Sequence, residues 1–172
     1  MRKYVFAIDP GTTMSGVCLV CTDDLKPLWC DKLDNGEIRL SVVRKLGELG
    51  IEWRDVECVI ERMQGNNMPV SSDVFLTCEW IGRFDLQMRE ITGTKTSYVF
   101  RRDEYNCLCA NIYTHNDKGV RIALVERFAF GQPNYGKGTK REPGWFYGFA
   151  ADAWSAYAIA VTFYDLQLTE VF

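Results

Sequence analysis

The stretch Tyr4-Val5-Phe6-Ala7-Ile8-Asp9-Pro10-Gly11-Thr12-Thr13 decides the reading of this chain. Its apolar run reads as a buried strand and Pro10-Gly11 ends it, so Asp9 places a carboxylate where a buried strand turns. A carboxylate withdrawn from water needs a cation or several donors to stay ionised, and near a sheet centre the commonest such cation is a metal. Val56 to Glu61 repeats the pattern, an apolar run ending in an acid. Ligands of open α/β sheets gather at the carboxyl ends of strands, which makes the two acids candidates for one site. A third acid, Asp152, shares a helical face with Phe149, Ala156, Ile159 and Phe163. Singly, each acid reads as readily as a surface or capping residue. Jointly, Asp9, Glu61 and Asp152 read as three carboxylates meeting at one hard, oxygen-liganded site suited to Mg²⁺ or Mn²⁺.

Outward from these acids, the hydrophobic pattern predicts strands over 3–9, 15–21 and 27–34, a helix over 38–50, and a strand over 56–61. A helix over about 72–91 carries Val74, Cys78, Ile81, Phe84 and Met88 at helical spacing, and 96–100 reads as a fifth strand. Shorter helices over about 103–112 and 117–128 lead into a Gly, Lys and Pro rich loop, 131–144, expected to be mobile, and a last helix over about 145–165. The expected fold class is α/β, five strands with flanking helices, with 1–172 forming one domain.

Composition narrows the class. The N-terminus lacks the apolar length of a signal peptide, and 153–164 is too short and too interrupted to span a membrane, so a soluble, cytoplasmic protein is expected. Seven cysteines, mostly within apolar segments, argue for reduced core thiols over a secreted disulfide framework. Neither Cys18/Cys21, on opposite faces of a strand, nor Cys107/Cys109, on different faces of a helix, suits a zinc site. A net charge of -3 excludes nucleic-acid binding by overall charge, so phosphate contacts must come from local basic groups. Arg101, Arg102 and Lys118 form one such group; Lys137, Lys140 and Arg141 form another. The single histidine, His115, precedes Asn116 and Asp117 at a helix start and reads as a turn or cap residue. Gly131, Gly136 and Lys137 imitate a phosphate loop, but Gly138 stands where Ser or Thr should follow the lysine and no strand precedes it.

Three segments carry a family resemblance. AIDPGTTMSG at Ala7 to Gly16 resembles the first motif of the RuvC-like Holliday junction resolvases, CVIERM at Cys58 to Met63 the second, and DAWSAYAIA at Asp152 to Ala160 the last. KGTKREPGWFYG, at Lys137 to Gly148, is similar to bacteriophage members of that family. The resemblance implies a ribonuclease H-like fold, with a central mixed five-stranded sheet flanked by helices, a homodimer acting on branched DNA, and Asp9, Glu61 and Asp152 as ligands for metal-dependent phosphodiester hydrolysis. That chemistry uses two ions about 4 Å apart and no histidine base. It also points to Lys118, Lys137, Lys140 and Arg141 as phosphate contacts, where the plain reading of lysines in a glycine-rich loop is a solvated face.

Two positions depart from the family pattern. Ser155 stands where many relatives carry a second acid or a histidine one turn beyond Asp152. It is a candidate ligand only through water, so the second ion is expected to bind more weakly. Gln64 stands where some relatives place an aromatic wedge for the branch point; Met63 and Met68 are the other candidates, although methionine more often fills core or loop gaps. Two rival readings stay open. Asp9, Gly11, Thr12 and Thr13 also resemble the first phosphate motif of the sugar kinase, actin and heat-shock ATPase superfamily, but those proteins close two such lobes around ATP and this length has room for one. The other rival is a branched-DNA-binding module that has lost turnover through Ser155.

Overall fold

The computed structural model describes residues 2–65, 70–110 and 114–169. Five strands form one sheet in the order β3-β2-β1-β4-β5: β1 (Tyr4–Asp9), β2 (Met14–Cys21), β3 (Pro27–Asp34), β4 (Val56–Arg62) and β5 (Ser97–Phe100). β1, β2 and β3 run antiparallel in succession, while β1, β4 and β5 are parallel, so the sheet is mixed. Helices α1 (Ile38–Leu49) and α2 (Ser72–Thr92) bring apolar residues to one face of the sheet; α4 (Asp117–Phe128) and α5 (Ala151–Thr169) pack on the other, with α3 (Arg101–Leu108) beside α5.

The alternation of side chains along a strand decides where the acids go. Phe6, Ile8, Cys58 and Ile60 belong to the core under α1 and α2. Val5, Ala7 and Val59 belong to the core under α5. Asp9 and Glu61 continue the second set, and Ile8 is in register with Ile60, so both carboxylates emerge side by side toward α5. The loop after Asp9 is pinned by a closed network. Gly11 N–H donates to Ser15 Oγ at 3.1 Å, Ser15 donates to Asn35 Oδ1 at 2.6 Å, and Asn35 Nδ2 donates to Gly11 O at 3.0 Å.

Four expectations from the sequence are corrected. α5 begins at Ala151, six residues later than the apolar pattern suggests, because 144–149 form turns. Phe149 therefore lies outside the helix, where its ring meets Phe146, Trp154 and Tyr157. From Ala153 to Phe163 every residue of α5 but Ser155 is buried, so its apolar surface goes all round, as befits a helix roofed by α3 and α4. α3 starts two residues early because the Asp103 carboxylate accepts a hydrogen bond from Phe100 N–H at 3.0 Å, which opens a helix directly after β5. On α2 the buried stripe runs through Thr77, Ile81, Phe84 and Met88, leaving Cys78 exposed.

The fourth correction concerns thiols: Cys18 and Cys30 stand opposite each other in the β2–β3 register and are joined as a disulfide, with Cα atoms 4.1 Å apart. Cys21, Cys58, Cys78, Cys107 and Cys109 are free. The glycine-rich loop is bridged by backbone hydrogen bonds of its own. Thr139 N–H donates to Glu142 O, Gly144 N–H to Lys137 O and Phe146 N–H to Gly136 O, closing a hairpin over 136–146. A Cβ at Gly144 would lie 2.2 Å from Gly136 O, so the close approach of the two arms requires glycine. Among the described residues no helix is long and apolar enough to cross a membrane.

Candidate functional site

Asp9 and Glu61 end adjacent parallel strands and lie within hydrogen-bonding reach of each other. Burial raises the pKa of both; Glu61, only 8% exposed, is pushed up to about 8, with Arg101 opposing the shift and the neighbouring Asp9 adding to it. For Asp9 the upward effect of burial is offset in part by contacts with Glu61, Arg101 and Ser155 and reinforced by the negative charge of Asp152. The Ser155 hydroxyl is thus beside Asp9, in reach to donate to it.

Asp152 occupies the first turn of α5. The helix docks there against β2 at Gly16, the register partner of Asp9; a Cβ on Gly16 would stand 2.5 Å from the Asp152 carbonyl oxygen. Glycine at this position lets the helix start approach the strand closely enough to face Asp9. The Asp152 side chain itself is turned to Lys32 on β3, whose Nζ lies 2.9 Å from Oδ2.

Glu61 is held by a second cation. Arg101, at the first position of α3, places Nε 3.0 Å from Glu61 Oε1 and Nη2 3.4 Å from Oε2, so the guanidinium spans both oxygens. Its Nη1 reaches Glu104 Oε2 at 3.3 Å and Asp117 Oδ1 at 3.6 Å. Glu104 is fully buried, its Oε1 has no hydrogen-bond partner among the described residues, and burial pushes its pKa up to about 9 against the pull of Arg101. Burial works against the charge of Arg101 as well, but Glu104, Glu61 and Asp9 outweigh it and hold the guanidinium more firmly protonated than usual.

Two clefts meet at Arg101. One, of about 520 Å³, is lined by Asp9, Pro10, Glu61, Arg62, Met63, Gln64, Arg101, Arg102 and Tyr105. The other, of about 370 Å³, is lined by Arg101, Asp117, Lys118, Val120, Arg121, Asp152, Trp154 and Ser155. Lys118 therefore stands on the wall facing Asp152, whereas Lys137, Lys140 and Arg141 lie on the hairpin and line neither cleft. Met63 and Gln64 follow β4 and are exposed at the rim; Met68 lies outside the described residues. Arg121 joins the regions, with its guanidinium 4.7 Å from the Tyr135 ring centroid and 5.8 Å from that of Trp154. His115 does not cap α4; Asn116 does, accepting from Gly119 N–H at 3.0 Å.

The donors are hard oxygens, the chemistry that a small divalent cation takes, and Asp9 and Glu61 lie within reach of each other. Among the described residues, however, no three acidic, histidine or cysteine side chains stand close enough to hold one ion as they are. Sequence reasoning placed Arg101 in a basic group without assigning it, and gave no role to Lys32, Glu104, Asp117 or Arg121. The one available signal was Arg101 and Glu104 at a helical spacing of three beside a strand end.

Two solved structures share this architecture over nearly the whole chain. One is a Thermus thermophilus RuvC structure, with a TM-score of 0.65, 15% identity and 96% of each chain covered. The other is T. thermophilus RuvC in complex with a Holliday junction substrate, with a TM-score of 0.64, 16% identity, and 96% of this chain and 95% of that one covered. No protein-family model and no curated protein sequence matches the chain. At this identity the likeness is one of fold, and the fold is RuvC-like, of the ribonuclease H class.

Proposed function

We propose that this chain, acting as one nuclease domain, is a metal-dependent, structure-selective DNA endonuclease that resolves Holliday junctions and other branched DNA by paired phosphodiester hydrolysis. The observation that carries the reading is the meeting of Asp9 and Glu61 at adjacent parallel strand ends, facing the helix that bears Asp152, within a RuvC-like fold. Mg²⁺ or Mn²⁺, when bound, supplies activation of the attacking water and stabilisation of the leaving oxygen. Asp9, Glu61 and Asp152 would hold it; Ser155 orients Asp9 and lends no charge, which leaves a second ion the weaker of two. Lys118 and Arg121, on the cleft wall, receive the phosphate backbone near the acids. Lys137, Lys140 and Arg141 extend that contact along the hairpin, and Met63 and Gln64 stand at the rim where a branch point would rest.

A four-way junction has approximate two-fold symmetry and needs two nicks, which calls for a homodimer. The exposed Phe75 and Leu86, three helical turns apart on one face of α2, offer an apolar surface for it. The motif resemblance in 137–148 favours a bacteriophage-type enzyme working in the host cytoplasm. Junction binding without turnover is favoured by one observation, the engagement of Glu61 and Asp152 with basic side chains. Nicking of labelled four-way, three-way and linear duplex DNA with and without Mg²⁺ tests both: Mg²⁺-dependent symmetric nicks in the junction are expected, and tight binding without any cut would favour the second reading. Sedimentation velocity of the protein at assay concentration checks the dimer.

A further inference from the structure

We propose that Arg101 is a place-holding cation for the carboxylate site: it occupies Glu61 while no metal is bound and gives that side chain up on metal binding, staying anchored to the buried Glu104. This rests on the reading of Asp9, Glu61 and Asp152 as a cation site. Three observations lead to it. The guanidinium contacts both oxygens of Glu61, so an ion arriving at Glu61 competes with it for the charge of that carboxylate. The same guanidinium holds a fully buried carboxylate that, among the described residues, touches no other cation, which gives it an anchor independent of Glu61. Arg101 also lines both clefts, so a small swing about that anchor carries it from the Asp9 side toward the Asp152 side.

The physical need is plain. Carboxylates gathered in a poorly solvated corner repel one another, and without a counter-charge they destabilise the fold or fill with protons. A planar guanidinium can satisfy several of them at once, which a lysine ammonium does less well. Lys32 on Asp152 is the milder counterpart: that pair is 49% and 34% exposed, so solvent screens it and an ion displaces it readily. Arg101 is therefore a positioning residue, acting on metal uptake through Glu61.

The test is Mn²⁺ binding to the purified full chain without DNA, followed by electron paramagnetic resonance of the free ion, together with the Tm in EDTA. Arg101→Gln is expected to bind Mn²⁺ about ten-fold more tightly, the size of one charge-assisted hydrogen bond no longer exchanged, while its metal-free Tm falls. Arg101→Lys, which keeps the charge and loses the fork, should shift both in the same directions by less, and it decides the matter should the glutamine variant fail to fold. Arg102→Gln removes an equal charge from the same cleft and should change affinity by less than about two-fold at such an unbridged position. Tightening in Arg102→Gln as large as in Arg101→Gln would reduce the effect to a general field and overturn the proposal, as would unchanged or weaker Mn²⁺ binding in the Arg101 variants. A wild-type chain that binds no Mn²⁺ at millimolar concentration removes the metal reading of the site and this inference with it; a wild type that binds, with Arg101 variants that do not differ from it, removes only this inference.

Discussion

The carboxyl ends of β1 and β4 and the hairpin over 136–146 solve opposite electrostatic problems. At the strand ends, charge is buried and every group leans on another: Glu61 on Arg101, Arg101 on Glu104, Asp9 on Glu61 and Ser155. On the hairpin, Lys140 and Arg141 are exposed, and the segment is held in place by other means: backbone hydrogen bonds, Trp145 Nε1 donating to Tyr157 Oη, and the Phe146 ring among Phe149, Trp154 and Tyr157. The difference teaches that, under the proposed roles, the acids sit where burial makes them sensitive to protons and metals, while the hairpin cations keep free side chains on a hydrogen-bonded backbone.

That contrast predicts a double dissociation. Asp9→Asn, Glu61→Gln and Asp152→Asn should each reduce junction nicking by more than about a hundred-fold while leaving junction binding nearly intact, checked by single-turnover cleavage beside fluorescence anisotropy. Normal nicking by any two of them would break the comparison. Neutralising Lys137, Lys140 and Arg141 together should do the reverse, lowering the slope of log affinity against log salt by about two to three while nicking at saturating protein stays close to normal. An unchanged slope would move the DNA path away from the hairpin.

Two smaller effects sharpen the acidic side. Glu104 is more protonated in the folded than in the unfolded chain between its ordinary 4.5 and about 9. Its contribution to stability is therefore complete below the lower value and is lost as pH rises through the upper one, and Glu61, raised to about 8, acts in the same direction. The metal-free Tm should fall as pH rises across that window, and Glu104→Gln should flatten the decline; melting curves in EDTA at several pH values decide it. Ser155→Asp adds a like charge beside Asp9, so the Mg²⁺ needed for half-maximal nicking should drop several-fold, roughly what one added carboxylate contributes, whereas Ser155→Ala should have only a mild effect. Loss of activity in Ser155→Ala would make the hydroxyl an essential orienting group.

Sequence by itself determined the strands and where their acids stand. An apolar run closed by Asp9 and another closed by Glu61 can be read because strand periodicity is local, and the parity that turns both carboxylates to one face follows from counting residues back to Ala7 and Val59. The five strands, α1, α2 and α4 follow the same local rules. The start of α5 did not, because the apolar pattern runs straight through the turns at 144–149 and only packing separates them. The Cys18–Cys30 pair depended on the β2–β3 register. Tertiary structure alone decided which cation sits on which acid. Arg101 meets Glu61 from 40 residues away because β5 lies beside β4 and α3 opens directly after it, and Lys32 meets Asp152 because α5 docks on β2 next to β3. Such pairs leave no local trace: a charge has no periodicity, and its partner is chosen by strand order and helix docking.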